Sequence, residues 1–338
     1  MNSSITVGPY EGILLLGGGE ILRNICIWAL PAGFNISVVT SERHSKEVIN
    51  GTTLSSFLQE NNISYLVTNE ISSTKVKKFI GNTDKIFCLS LGAAWIFNSA
   101  TIKELFNNKL FNLHGTRLPQ NRGGGGWSWQ IMTANRFGFS ILHLVDEGVD
   151  TGSIVMSDEY LYPATCRLPI DYENIYVKKN TTFLINFLNK YSKSSDCIEL
   201  HNQTEYFSTY WPRLNSLTNS WIDWSMEKYD LERFICAFDD PYQGAQTYIC
   251  KNKVYLKKVS LNFQDGVFNA YQSGLIYRKT EHWACVCIAG ASLIIEQVID
   301  ESGDNIISDL NVGDRFITPT RELENAKNRV VYTPSGMK

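Results

Sequence analysis

Three polar residues in the middle of the chain have the types and spacing needed to stabilise an oxyanion and move a proton. Asn112 and His114 are separated by one residue at the end of an apolar run, and Asp150 follows a later apolar run. An amide N–H can donate to a developing oxyanion, and an imidazole can transfer a proton near neutral pH. A carboxylate can orient that imidazole and stabilise its charged form.

These residues can act together only if the elements that carry them end at the same place. Residues 110–113 have the composition of a strand, and alternation along a strand would put Asn112 and His114 on one face. Asp150 follows a second predicted strand, at residues 139–145. Open α/β sheets bind ligands at the carboxyl ends of their strands, so we expect Asp150 at the same edge.

The same pattern has a purely structural interpretation. A histidine after a strand is often a hydrogen-bonded structural residue, and Asp150-Thr151-Gly152 is also a common turn sequence. The chain has no G-x-S-x-G motif, so nothing indicates a covalent nucleophile. From the pattern alone, both interpretations remain open.

The first 150 residues alternate between strand and helix signals, which predicts a parallel sheet covered by helices on both faces, as in Rossmann-like folds. The predicted strands are residues 12–16, 35–40, 63–68, 85–91, 110–113 and 139–145. The predicted helices are residues 20–30, 54–61, 73–80, 100–107 and 127–134.

The pattern changes after about residue 200 to short alternating runs separated by turns, which are typical of a small β-barrel resembling an OB-fold. The predicted strands there are residues 245–249, 254–259, 274–277, 284–288 and 292–298, preceded by a helix at 229–237. We place the boundary within 204–212, which gives an α/β domain of residues 1–205 and a linker with a β-rich domain of residues 206–338.

A glycine-rich turn, Gly17-Gly18-Gly19, follows the first strong strand signal. The dinucleotide fingerprint G-x-G-x-x-G would need a third glycine at position 22, where the chain has Leu22. The turn can serve tight strand-to-helix packing, backbone contact with another ligand, or a dinucleotide. Because of the second possibility, Gly18 is a candidate substrate contact.

Composition excludes several classes of function. The chain of 338 residues has a net charge of −3 and 43% hydrophobic residues, which is typical of a folded protein and lacks the basic surplus of a nucleic-acid binder. No apolar run is long enough for a membrane span, and no secretory signal is visible. The eight cysteines form no Cys-x-x-Cys pair and no metal spacing with histidine, so we expect free thiols and no metal.

A series of motifs runs through residues 112–152 in a fixed order. They are Asn112-x-His114, Leu118-Pro119, Arg122-Gly123, Asp146-x-Gly148 and Asp150-Thr151-Gly152. This series resembles the 10-formyltetrahydrofolate-dependent formyltransferases, and it is most similar to the sugar N-formyltransferases. The resemblance covers most of the chain, since residues 221–224 and 241–245 are similar to the junction into that family's carboxyl-terminal domain.

The resemblance implies roles for individual residues. Asn112, His114 and Asp150 would be catalytic. The pterin of 10-formyltetrahydrofolate would bind along the backbone near Leu91, Gly92, Ala93, His143, Asp146 and Gly148. The acceptor would contact Gly18, Arg122, Gly123, Gly124 and Trp127, while Trp95 and Trp129 either line the site or pack in the core.

The acceptor segment departs from the usual family pattern. Gly115-Thr116-Arg117 follows His114 in place of Pro-Ser-Leu, and a run of glycines precedes Trp127. With the low basic content, these departures favour a nucleotide-linked amino sugar as acceptor. A 4-amino sugar of surface polysaccharide or pseudaminic-acid biosynthesis in a bacterial cytoplasm is one candidate, and a homodimer is compatible with it.

Other functions remain open at this level. Methionyl-tRNA formyltransferase is the first alternative, because a carboxyl-terminal barrel is also found there. A formyltetrahydrofolate hydrolase would use the same three residues with water as the acceptor. A non-catalytic nucleotide-binding protein on an α/β scaffold is the alternative from another class.

Overall fold

The computed structural model describes residues 3–124 and 126–337. The elements of the amino-terminal part are β1 (Ser4–Val7), β2 (Gly12–Gly17), α1 (Glu20–Ala29), β3 (Asn35–Thr40), α2 (Glu42–Ser45), β4 (Val48–Ile49), β5 (Thr52–Thr53), α3 (Leu54–Glu60), β6 (Ser64–Val67), α4 (Thr74–Ile80), β7 (Ile86–Leu91), α5 (Ser99–Phe106), β8 (Leu110–His114), β9 (Arg122–Gly123), α6 (Gly126–Met132), β10 (Phe137–Leu144), β11 (Ile154–Leu161), α7 (Pro169–Tyr191) and β12 (Asp196–Glu199).

The elements of the carboxyl-terminal part are β13 (Tyr210–Trp211), α8 (Ser216–Asn219), α9 (Lys228–Ala237), β14 (Ala245–Ile249), β15 (Asn252–Asn262), β16 (Ile276–Lys279), β17 (Ala284–Ile288), β18 (Ala291–Ile299), β19 (Phe316–Ile317), α10 (Thr320–Ala326), β20 (Tyr332–Thr333) and β21 (Gly336–Met337). Within the described ranges, no helix is both long and apolar enough to cross a membrane.

The first sheet has seven strands in the order β11-β10-β8-β7-β2-β3-β6. Strands β2, β3, β6, β7 and β8 pair in parallel, as the strand–helix alternation predicts. Strand β10 instead runs antiparallel to β8, and β11 runs antiparallel to β10. The expected parallel sheet is therefore corrected to a mostly parallel one. The connection that contains α6 ends beside the carboxyl end of β8, so β10 begins there and runs back along β8, and a loop at residues 145–153 then joins β10 to β11.

Apolar faces on both sides of the first sheet explain why its central strands are so hydrophobic. Strand β2 is buried along its whole length. One face packs on helices that include α1 and α7, and the other packs on α4 and α5. Burial on both faces favours continuous apolar runs over alternation, which is why β2 and β7 are visible in the sequence.

The second sheet has six strands in the order β16-β17-β18-β15-β14-β19, and its described pairings are antiparallel. An isolated bridge between Leu275 and Arg315 brings its two edges together at one end, so the sheet curls into a partial barrel. The prediction of a β-rich, curled domain is confirmed in this form. The more specific likeness to an OB-fold stays a prediction.

The hydrophobic core of the second sheet includes residues from the amino-terminal part of the chain. Ile131 of α6, Tyr162 and Tyr172 are buried in the same cluster as the inner face of the second sheet and α9. The Ser128 hydroxyl also donates to the Ala237 carbonyl across 2.8 Å. The division after residue 205 stays a prediction, and the packing extends across it.

Candidate active site

Asn112, His114 and Asp150 lie together at one edge of the first sheet. Strand β8 carries the first two, and Asp150 lies in the loop between β10 and β11 with a φ of 54°. Asn112 Nδ2 is 3.5 Å from Asp150 Oδ1, and His114 Nδ1 is 3.6 Å from Asp150 Oδ2. The structure thus brings together the three residues that the sequence singled out for catalysis.

His143 is a fourth member of this cluster. Its Nδ1 lies 2.7 Å from the Leu144 carbonyl, which can only accept, so Nδ1 carries the proton. Its Nε2 then accepts a 3.0 Å hydrogen bond from the Asn112 amide. One amide hydrogen of Asn112 is therefore committed to His143. The other makes the long 3.5 Å contact to Asp150 Oδ1, so it must turn from that carboxylate to reach a developing oxyanion. Sequence reasoning placed His143 only beside the pterin.

The hydrogen bonds of His114 define which ring nitrogen can take up a proton. Its Nε2 lies 2.8 Å from the Asn121 carbonyl and 2.7 Å from Thr116 Oγ1. The Thr116 hydroxyl also donates to the Asn121 carbonyl, so Nε2 must carry a proton. In the neutral ring, Nδ1 is therefore the acceptor, and it faces Asp150.

Burial sets the charge states of this pair. Burial lowers the pKa of His114 below its usual value, while the neighbouring Asp150 carboxylate partly opposes that shift. Burial would raise the pKa of Asp150, but the imidazoles of His114 and His143 and the Gly123 N–H favour the carboxylate and hold its pKa low. Near neutral pH the site therefore has a neutral His114 beside an ionised Asp150.

The glycine-rich loop that contains Gly123 and Gly124 contacts the catalytic cluster through its backbone. The Gly123 N–H donates to Asp150 Oδ2 across 2.9 Å. Gly123 has a φ of 95°, and a Cβ there would lie 2.5 Å from the Trp211 carbonyl oxygen. A Cβ on Gly124 would lie 2.7 Å from Arg213 Cβ. Both glycines are needed because neighbouring chain packs directly on the loop; Gly125 lies outside the described residues.

Two cavities meet at His114. The first, of about 430 Å³, is lined by Asn112, His143 and Asp150, and the second, of about 420 Å³, by Trp127, Tyr176 and Tyr242. The residues that line both cavities are Gly92, Leu113, His114, Gly123, Gly124, Arg213 and Tyr332. The candidate catalytic histidine is therefore accessible from both sides, as transfer between two bound molecules requires.

Most of the predicted pterin contacts line the first cavity. These are Gly92, Ala93, His143, Asp146 and Gly148. Leu91 does not line it, because its side chain is buried in the core and its carbonyl accepts the Gly18 N–H. Trp95 also lines this cavity, and its buried Nε1 has no hydrogen-bond partner among the described residues.

Some of the predicted acceptor contacts line a cavity, and others do not. Gly123 and Gly124 line both cavities, and Trp127 lines the second, where it packs edge-on against Tyr176. Trp129 instead packs against Trp211 and donates to the Pro212 carbonyl.

Arg122 and Gly18 line neither of these two cavities. The buried Arg122 guanidinium donates to Gln203 Oε1 at 3.1 Å and to Glu205 Oε2 at 2.6 Å. Gly18 packs on the His44 side chain, which would lie 2.8 Å from a Cβ at position 18. Arg122 therefore anchors the glycine-rich loop to Gln203 and Glu205. Gly18 is needed for close packing of the turn at residues 17–19 against His44.

A segment that sequence reasoning missed forms part of the first cavity. Residues 329–333, near the carboxyl end of the described chain, line it, and Tyr332 also lines the second cavity. The Tyr332 hydroxyl accepts a 3.0 Å hydrogen bond from Asn215 Nδ2, more than a hundred residues earlier. No local pattern could reveal such a contact.

The same cluster contains a set of potential metal ligands. One ligand atom each from His114, His143 and Asp150 lies within 4.8 Å of the others, and two histidines with a carboxylate can bind a transition metal. Histidine spacing in the sequence did not reveal this set, because His143 lies on β10 and not on β8. The expectation of a metal-free site stays a prediction.

Comparison with known proteins finds similarity to the formyltransferases. Residues 216–310 match the family described as formyl transferase, C-terminal domain. The resemblance predicted from residues 112–152 is confirmed at this level.

Curated relatives match part of the chain. The bifunctional polymyxin resistance protein ArnA of Wigglesworthia glossinidia brevipalpis is 25% identical over 164 residues, which are 46% of this chain and 23% of that protein. The methionyl-tRNA formyltransferase of Clostridium tetani is 26% identical over 137 residues, 40% of this chain and 43% of that protein. The match spans less than half the length of these relatives.

Solved structures show the fold over most of the chain. WlaRD, a sugar 3N-formyl transferase solved in the presence of dTDP and 5-N-formyl-THF, has a TM-score of 0.62 at 21% identity and covers 86% of this chain and 98% of its own. The N-formyltransferase of Helicobacter canadensis, solved with folinic acid and dTDP-3-aminofucose, has a TM-score of 0.63 at 18% identity and covers 85% and 99%.

Proposed function

We propose that this protein transfers a formyl group from 10-formyltetrahydrofolate to the amine of a nucleotide-linked amino sugar. The observation that carries the proposal is the position of His114, which lies beside Asn112 and Asp150 and lines both cavities. The family relationship supports the chemistry, and the ligands of the two structural neighbours support the substrate classes.

The folate occupies the first cavity in this proposal. Gly92, Ala93, His143, Asp146 and Gly148 line it and would contact the pterin, which places the formyl group toward Asn112 and His114. Asp146 accepts hydrogen bonds from the Gly148 N–H and the Thr151 hydroxyl, so the loop that would hold the pterin is ordered by its own side chain. Both neighbours named above were solved with a formylated folate.

The acceptor approaches from the second cavity, and its neutral amine attacks the formyl carbon. A new carbon–nitrogen bond forms, and the carbonyl electron pair moves onto oxygen. The Asn112 N–H that lies 3.5 Å from Asp150 Oδ1 turns to donate to this oxyanion, and loss of such a donor typically costs ~10²–10³ in rate. Holding the amine and the formyl donor together contributes about 7–11 kcal/mol.

Proton transfer completes the reaction through His114. Its Nδ1 accepts the proton from the attacking amine, and Asp150 stabilises the imidazolium. The tetrahedral intermediate then collapses, the bond from carbon to N10 breaks, and N10 takes the proton from His114. The products are the N-formyl sugar and tetrahydrofolate, and atoms and charge balance without a metal or a redox partner.

We further propose that the acceptor is an amino sugar on a nucleoside diphosphate, with a 4-amino sugar of surface polysaccharide or pseudaminic-acid biosynthesis as one candidate. The proposal includes a bacterial cytoplasmic enzyme that acts as a homodimer. Trp127, Gly123 and Gly124, which line the second cavity, would contact the sugar. The second candidate function is methionyl-tRNA formylation, which the match to the Clostridium tetani enzyme favours.

The test is absorbance-followed release of tetrahydrofolate from 10-formyltetrahydrofolate. UDP-, dTDP- and GDP-linked amino sugars form the main panel, with charged initiator tRNA and a reaction without acceptor as separate arms. Turnover with one sugar supports the proposal. Turnover with tRNA supports the second candidate, and turnover without an acceptor indicates a hydrolase.

A further inference from the structure

Three guanidinium groups beside the two cavities lack carboxylate partners. Arg43 and Arg329 line the first cavity, and Arg213 lines both. Within residues 3–124 and 126–337, no carboxylate lies within 4.0 Å of any of these three. Arg167 and Arg278 each pair with an acidic residue. Arg23, Arg136 and Arg315 have no such pair, but each donates to a backbone carbonyl.

Tyr332 holds two of these cations at the boundary between the cavities. The Arg213 Cζ lies 4.4 Å from the centre of the Tyr332 ring, and the Arg43 Cζ lies 5.9 Å from it. The phenol hydroxyl is fixed by Asn215 Nδ2 at 3.0 Å and by the Leu214 carbonyl at 3.4 Å. A guanidinium that lies over a ring keeps its N–H edges available to donate. One amino group of Arg43 already donates to His44 Nε2 at 2.9 Å, which leaves its other N–H groups for a ligand.

This arrangement is electrostatically incomplete without an anion. Burial lowers the pKa of Arg43, the positive charge of Arg213 lowers it further, and the charge of Glu47 opposes these two effects only in part. The buried Nε of Arg43 has no hydrogen-bond partner among the described residues. Like charges that are held together away from bulk water repel, and an anion between them removes that repulsion.

We infer that Arg43, Arg213 and Tyr332 form the binding site for the diphosphate of the nucleotide-linked acceptor, with Arg329 at its outer edge. This inference rests on the proposed function and locates one part of its substrate. Arginine binds phosphate through two parallel hydrogen bonds, so two guanidinium groups match the two phosphoryl groups of a nucleoside diphosphate. Arg213, Tyr332 and His114 line the same two cavities, so the attached sugar can extend toward His114.

Tyr332 acts as a positioning residue in this site. It comes from the carboxyl-terminal segment, so that segment supplies part of the acceptor specificity. Its ring contacts both guanidinium groups, and its hydroxyl ties it to the segment that carries Arg213. Loss of the ring should therefore weaken nucleotide binding even though the cations remain.

The inference is tested by calorimetric titration of the full chain with dTDP, UDP, GDP and inorganic pyrophosphate. We compare the unmodified protein with Arg213→Gln, Tyr332→Leu and Tyr332→Phe. Arg315→Gln is the matched control, because Arg315 also stacks on a tyrosine, Tyr271, without lining either cavity. Melting temperatures verify that each variant is folded, and a titration with folinic acid measures the folate site.

We expect Arg213→Gln and Tyr332→Leu to weaken binding of at least one nucleoside diphosphate by about 10- to 100-fold, the loss of one or two charge-assisted hydrogen bonds. Folinic acid affinity should stay unchanged, and Arg315→Gln should bind nucleotides as the unmodified protein does. Tyr332→Phe keeps the ring but loses the hydroxyl contacts to Asn215 and Leu214, so its affinity should lie between those of the unmodified protein and Tyr332→Leu. In a turnover assay, Arg213→Gln and Tyr332→Leu should raise the KM for the nucleotide-linked sugar more than they lower kcat.

Three results would overturn the inference. The first is undiminished nucleotide binding in folded Arg213→Gln and Tyr332→Leu, and the second is no nucleotide binding by the unmodified protein. The third is a selective loss of folinic acid affinity, which would assign the cations to the folate carboxylates. Failure of the proposed function would give a different result. The unmodified protein would bind nucleoside diphosphates and the variants would bind them more weakly, but no amino sugar would be formylated.

Discussion

The backbone N–H of Gly123 and the carboxylate of Asp150 are joined by a 2.9 Å hydrogen bond. This bond connects the glycine-rich loop to the residue that faces the His114 ring. A displacement of the loop therefore changes the position of the carboxylate as well as the shape of both cavities. Changes to this cluster and to the titrating groups near it should therefore affect turnover and stability in measurable ways.

The first prediction concerns the oxyanion and the proton. Asn112→Ala and His114→Ala should each lower kcat by ~10²–10³, because each removes a group that acts in the transition state. Circular dichroism and the melting temperature should show folded proteins. The double variant should lose little more than the worse single one, because the two residues act as one unit. Near-normal turnover of His114→Ala would refute its catalytic role.

The second prediction is a shift of the pH profile. His114 acts as a base, so kcat/KM falls when the pH drops through its pKa, which burial has lowered below the usual value. Asp150 raises that pKa, so Asp150→Asn should move the acid limb to still lower pH and reduce the plateau. The measurement is kcat/KM across the acid range in both proteins, and a limb that moves toward higher pH would contradict the assignment.

The third prediction separates the loop contact from simple backbone strain. Gly123→Ala should lower kcat, because a Cβ would collide with the Trp211 carbonyl and displace the N–H from Asp150. Gly303→Ala is the matched control, since Gly303 has the same φ of 95° and nothing within 4 Å of its Cβ position. Both variants should lose stability, about 1–2 kcal/mol from the left-handed conformation. Equal kcat values for the two would show that the Gly123 contact has no catalytic effect.

The fourth prediction concerns stability in acid. Burial, with Arg43 nearby, lowers the pKa of His44 from 6.5 to about 4. Between these values the unfolded chain binds a proton that the folded chain does not, so the free energy of unfolding falls as the pH falls. We expect a loss of about 1–3 kcal/mol from this group. Melting curves of His44→Gln should depend less on pH, whereas the exposed His282→Gln should follow the unmodified protein.

The fifth prediction concerns metal removal. Metal ligation through His143 Nε2 would replace the hydrogen bond that this nitrogen accepts from Asn112, and ligation through His114 Nδ1 would occupy the nitrogen that takes up the proton in the proposed reaction. We therefore expect dialysis against EDTA to leave turnover unchanged and added Zn²⁺ to inhibit by binding His114. Elemental analysis of the purified protein accompanies the assay. Activity that EDTA abolishes and a metal restores would show a metal enzyme.

The sequence predicts most of the first sheet because its strands are buried on both faces. Strands β3 and β14 match their predicted bounds, and β2 differs by one residue. Helix α7 was not predicted, although it has 23 residues, because polar residues such as the buried Asn180 interrupt its apolar stripe. Strand β11 was missed because its outer half is exposed at the sheet edge.

Sequence predicted only those residues of the candidate site that belong to the series of motifs at residues 112–152. Asn112, His114 and Asp150 lie on two stretches whose strand signals are strong, so their meeting follows from sheet geometry. Arg43, Arg213 and Tyr332 come from three distant parts of the chain, and only tertiary packing joins them. Arg122 was misplaced for the opposite reason, because it lies within the motif while its side chain turns away to Gln203.

The hydrophobic core that α6 shares with the second sheet has a consequence for recombination. Ile131, Tyr162 and Tyr172 pack with residues that lie beyond position 230. In a chimera joined near residue 205, core side chains from two different parent proteins would have to pack against each other. Their volumes would not match, which would leave cavities or clashes in that core. Substrate range in this architecture is therefore more readily altered by replacing the loops around the cavities than by exchanging whole halves.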